Sequence, residues 1–214
     1  VSDTEIELNA TTIEMNGNVT GTTMTHLVTL TADNDTDITF SSTYITDTYM
    51  DYKIIIRFYA PANNGQTLFV SPSGDNGSNY NILIEEHMQY HDMKAGQAFG
   101  MASTANNLQK IQLGAGTSNQ TDEGMSAELM FIGLRQTTGF KMMHFNCLGA
   151  HDNDTGHGNI TADGGGGGND YWWNGGAKII GTSDSNRVAI NNLKFTAGSG
   201  NIKQGTFSLY GIKS

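Results

Sequence analysis

The chain has 214 residues, with 27 glycines, 2 prolines and only 15% charged residues, and Asn, Thr and Ser fill most polar positions. Gly, Asn and Thr are poor helix formers, so this composition argues against long helices and for strands joined by many turns. A formal net charge of -10 argues against binding a phosphate backbone, and the lack of any apolar run of about 18 residues argues against a membrane-spanning helix.

A length near 200 suits one β-sandwich domain, 31–214, carrying a short N-terminal segment, 1–30. That segment opens "VSDTEIELNA", without the basic and apolar regions of a signal peptide. Ile6, Leu8 and Ala10 share one parity; Ile13, Met15 and Val19 take up a shifted one, with Asn16-Gly17 marking a turn. So few apolar residues do not build a core alone. The segment is therefore either an edge hairpin leaning on the main domain or a strand pair sheltered by copies of itself. It resembles the intertwined β-stems of trimeric phage fibres and spikes, which implies a homotrimer.

"ADNDTD" at 32–37 is a polar break, and strands are expected from Ile38 onward. "YKIIIRFYA" predicts a half-buried strand, with Tyr52, Ile54, Ile56, Phe58 and Ala60 on one face. "TLFVS", "YNILIEE" and "LQKIQLG" follow as strands, separated by turn formers. "IEEHMQYHDM" is the one stretch where a short helix would fit. "AELMFIGL" and "GFKMMHFNCL" are apolar on both parities and read as central strands covered on two sides. A long aperiodic loop runs from Gly149 through five glycines at 164–168. Beyond it, "YWWN", "KIIGT", "RVAINNLKF" and "GTFSLYGIK" complete the pattern of an all-β antiparallel sandwich.

The ending "LKFTAGSGNIKQGTFSLYGIK" has a strand, a Gly-rich turn and a last strand. Gly198 and Gly200 are expected to take positive φ in the turn, and Phe207 and Leu209 to pack inward. This ending resembles the close of a group of tailed-bacteriophage structural proteins, with a turn of the type S-G-N-I-x-x-G and a final F-x-L-Y-G-I strand. Residues 38–80 are similar to the opening half of the same domain. The resemblance implies a jelly-roll-like sandwich in a tail fibre, tail spike or head fibre of the virion, assembled in the bacterial cytoplasm. Residues 1–30 would attach it to other virion proteins.

Candidate chemistry is sparse. Cys147 stands alone in an apolar run and reads as a buried, inert thiol. His87 and His91 have a metal-ligand spacing only on a helix. His144 reads as a hydrogen-bonded core residue, while His151 and His157 belong to the long loop. Asp33, Asp35 and Asp37, and Asp152 with Asp154, suit either calcium or ordinary turn capping. Glu85, Glu86, Glu123 and Glu128 are the carboxylates open to glycan cleavage, but no nucleophile elbow, phosphate loop or supported Cys-His pair occurs. Neither a cofactor nor an enzymatic activity is expected.

Tyr171, Trp172 and Trp173, directly after the glycine run, are the candidate ligand-binding residues, because aromatic faces stack on sugar rings. Strand alternation sets a competing expectation: one tryptophan in the core and the other on the outer sheet face. The expected role is a fibre or spike component that binds host-surface glycan. The alternatives are a head fibre or capsid-decorating protein, a glycan-degrading spike domain, and a bacterial carbohydrate-binding module.

Overall fold

A computed structural model describes residues 24–92, 100–120, 123–151, 169–183 and 185–213. Among them there is no helix and there are twelve strands. In chain order these are β1 (Met24–Asp35), β2 (Ile38–Phe40), β3 (Asp51–Pro61), β4 (Gln66–Ser73), β5 (Leu83–Asp92) and β6 (Gly100–Leu108). The remainder are β7 (Ile111–Thr117), β8 (Met125–Ile132), β9 (Lys141–His151), β10 (Asn169–Gly181), β11 (Asn192–Ala197) and β12 (Ile202–Ile212). Every pairing is antiparallel.

Two sheets pack face to face. One contains β1-β12-β3-β8 and the other β7-β4-β11-β2. This is the strand order of a jelly roll, two Greek keys wound together. Two insertions modify it. The β9–β10 hairpin enters between β8 and β11, and the β5–β6 hairpin between β4 and β7. They pair in the order β8-β9-β10-β5-β6 and so widen the first sheet to eight strands. A single pair, Thr117 with His151, ties β7 to β9.

Alternation explains the core. Tyr52, Ile54 and Ile56 of β3, Leu129 and Phe131 of β8, and Phe207 and Leu209 of β12 all face inward and are buried. From the opposite sheet, Phe195 meets the Phe207 ring at 5.3 Å and Phe40 edge-on at 6.0 Å. These ring contacts, the first across the two sheets and the second between neighbouring strands of one, add about 1 kcal/mol each beyond the area they bury. At the closing turn Gly200 takes φ 70°, as expected. Gly198 is not at positive φ; its amide bonds Thr67 O at 2.8 Å, and a Cβ there would crowd Gln66 Oε1 at 3.0 Å.

Several expectations need correction. The stretch 83–92 is a strand and not a helix, because Ile84, Glu86 and Met88 alternate inward. "LQKIQLG" is broken by a turn between β6 and β7. The polar run at 32–35 belongs to β1, whose partner β12 supplies the ladder that its side chains do not demand. The boundary expected at 30/31 therefore falls inside a strand of the sandwich, and residues 1–23 lie outside the described residues. Phe58 is the largest departure. A β-bulge in β3 shifts the register against both β8 and β12, and Phe58 turns outward with φ 58° while Tyr59 turns in.

Candidate ligand-binding face

Strands β8 and β9 were expected to be covered on both sides, yet each is covered on one. Inward go Met143, Phe145 and Cys147; outward go Met142, His144, Asn146 and Leu148. His144 is thus exposed on the outer face and is not a core residue. The reason is layer number: a two-layer sandwich buries only one face of each sheet.

The register lines up the outer face in rows. One row runs Glu128, Asn146, Asn174, Gln89 across β8, β9, β10 and β5, a band of one carboxylate and three carboxamides. A neighbouring row runs Ser126, Leu148, Trp172 across β8, β9 and β10, and Phe58 joins it from β3 by donating its N–H to Ser126 Oγ at 3.2 Å. On the far side of the amide band, His144, Gly176 and His87 are aligned.

Two shallow clefts follow from this arrangement. One, about 970 Å³, lies between Phe58 and Trp172, with Leu148 and Ala127 among its floor residues and Arg57 at its edge. The other, about 690 Å³, lies over Gly176 between His87 and His144. Asn146 lines both, so they adjoin. Gly176 keeps the second open: a Cβ there would meet only Met143 O, at 3.2 Å. Its neighbour Gly175 serves the core instead, since a Cβ would strike the Phe145 ring at 2.8 Å.

The tryptophans divide as alternation requires. Trp173 is 9% exposed and packs in the core, which removes it from the ligand-binding set. Trp172 is 41% exposed, beside Leu148 at 52% and in the same cleft as Phe58 at 45%. Tyr171 is paired in β10 through its backbone; its side chain lies outside the described residues. A positive φ on a phenylalanine costs about 1–3 kcal/mol, and an exposed aromatic ring recovers none of it from the core. Neither Phe58 nor the amide band was picked out by sequence reading. Alternation through "FNCL" contains the signal for Asn146 and Leu148, whereas nothing in "RFYA" announces a bulge.

The remaining candidates do not assemble. On a strand, His87 and His91 are about 13 Å apart at Cα, too far for one metal ion. Asp35 accepts the Asp33 N–H at 2.9 Å and Asp37 accepts the Thr39 hydroxyl at 2.7 Å, which is turn capping. Among the described residues no group of three or more His, Cys, Asp or Glu is placed to hold a metal. Asp152, Asp154, His157 and the five glycines lie outside the described residues, as does the side chain of His151.

Glu128 pairs with Lys53 at 2.7 Å, and Glu85 pairs with Lys178. Those two carboxylates stand at least three strands apart, about 14 Å, beyond the separations that glycoside hydrolysis uses. Glu86 points inward, 3% exposed, and accepts the Gln112 N–H at 2.8 Å; burial pushes its carboxyl up to about 7. Burial likewise pushes the Cys147 thiol up to about 12, against the pull of a Trp173 backbone hydrogen bond, so it stays protonated and unreactive at neutral pH.

Comparison with protein-family models, with curated proteins and with solved structures gives no match.

Proposed function

We propose that this chain is a bacteriophage virion structural protein of the fibre or spike kind, and that the outer face of its eight-stranded sheet binds a glycan of the host surface. The observation that carries the binding role is Trp172, held outward by alternation next to a band of carboxamides. Aromatic faces stack on the C–H faces of sugars, and carboxamides both donate to and accept from hydroxyls. A wide, open sheet face suits an extended polymer better than a small metabolite, which is usually enclosed.

The virion setting is supported by the likeness of the closing strands to tailed-phage structural proteins. Ile132 and Met142, both exposed at the far end of the same face, favour contact with further copies in a trimer. Residues 1–23 enter at the start of β1 and are the natural attachment to other virion proteins.

The test is retention of the purified chain on host envelope polysaccharide. Trp172→Ala should cut binding at least about tenfold while the melting curve stays unchanged. Binding that survives the substitution overturns the site. Antibody labelling of intact particles tests the setting: signal on tail fibres supports it, signal on the head moves the protein to a head fibre or decorating role, and no signal refutes it.

A further inference from the structure

The β3 bulge does more than turn one side chain. In an unbroken strand, Arg57 and Phe58 would point to opposite faces; here both are exposed on the outer face, side by side at the edge of the cleft that ends at Trp172. Bulges recur next to functional sites because they re-aim side chains in this way. What the bulge delivers is an aromatic ring and a guanidinium at one end of an apolar trough.

The charge pattern singles out the guanidinium. On this face Lys53 is answered by Glu128 at 2.7 Å and Lys178 by Glu85. Arg57 has no carboxylate partner among the described residues. Arginine's planar fork matches a carboxylate in a bidentate pair. The chain's net charge of -10 does not forbid an acidic ligand, since charges further than about 8 Å are screened at physiological salt and Arg57 acts at contact. Phe58 and Trp172 are three strand spacings apart, about 14 Å at the backbone, which leaves room for two or three sugar rings between them.

We infer that the cleft between Phe58 and Trp172 is a site for an acidic oligosaccharide: Arg57 holds the carboxylate of one sugar, Phe58 stacks on that sugar, and Trp172 stacks on another further along. This rests on the glycan-binding reading above and names the class of sugar.

The experiment is calorimetric titration of the full chain with trigalacturonic acid and with disialic acid, each against its own carboxyl methyl ester. An ester keeps the sugar and removes only the charge. The acid of at least one pair should bind roughly tenfold tighter than its ester. Arg57→Gln should bring that acid to the ester's affinity. Phe58→Ala should weaken acid and ester alike. Phe58→Gly, which accepts the positive φ without strain, should do the same and is the variant to read if Phe58→Ala lowers the melting point.

Equal affinity within both pairs, a preference that persists in Arg57→Gln, or full affinity in both Phe58 variants overturns the inference. If host polysaccharide still binds in a Trp172-dependent way while both pairs show no preference, only the acidic class is wrong. If no saccharide binds at all, the glycan reading falls with it.

Discussion

Glu86 offers a test of the packing that supports the widened sheet. It sits in β5, a strand of the inserted hairpin, and reaches inward to accept the Gln112 N–H of β7 in the opposite sheet at 2.8 Å. Burial raises its carboxyl from 4.5 to about 7, and that hydrogen bond pulls only partly the other way. The folded chain therefore holds this proton more tightly than the unfolded chain. Below about pH 4.5 the group is protonated in both states and costs nothing. As pH rises from there through 7, the unfolded chain ionises freely while the folded one must bear a buried charge, so stability falls.

A shift from 4.5 to about 7 is worth about 3 kcal/mol once both states are ionised. Glu86→Gln keeps the acceptor for Gln112 and removes the titration. Its melting point should match the parent's near pH 4.5 and exceed it by about 6 to 12 °C at pH 8.5, for a chain of this size. Taking the difference between the two proteins at each pH cancels every other titrating group. A difference that stays flat with pH, or a variant less stable than the parent at pH 8.5, refutes the placement of Glu86.

Two further substitutions probe the same framework. The Tyr52 hydroxyl donates to Thr46 O at 2.7 Å and accepts the Thr46 N–H at 2.8 Å, pinning the turn between β2 and β3. Tyr52→Phe should cost about 1–3 kcal/mol in urea unfolding and speed hydrogen exchange at Thr46; unchanged exchange would dismiss the pin. Lys141 is fully buried, its Nζ has no hydrogen-bond partner among the described residues, and burial, with help from the Arg187 charge, holds its pKa below the ordinary lysine value. Lys141→Met should raise stability by about 1 kcal/mol or more, and a loss instead would mean that Nζ is satisfied in solution.

Much of the architecture is written in period two. β2, β3, β4, β8 and β12 declare themselves through alternation or apolar runs, and the same rule separates Trp172 from Trp173 before any coordinates. The failures have physical causes. Alternation says which residues share a face but not whether a third layer covers it, so β8 and β9 looked doubly buried and His144 looked internal. A bulge inserts one residue and resets the parity, so Phe58 was placed on the same face as Tyr52, Ile54 and Ile56. β1 and β6 carry little apolar signal because ladder hydrogen bonds to β12 and β5 place them, and β12 lies at the far end of the chain from β1. The amide band depends on the register between inserted hairpins, which no local pattern encodes.

The central claim is that ligand covers the outer face at Trp172 and leaves Trp173 untouched. Acrylamide quenching of tryptophan fluorescence, with and without saturating host polysaccharide, addresses it directly. The free protein should show one quenchable and one protected tryptophan, with the quenchable part absent in Trp172→Phe and suppressed by polysaccharide in the parent. Bound polysaccharide that leaves the quenchable part unchanged would contradict the account.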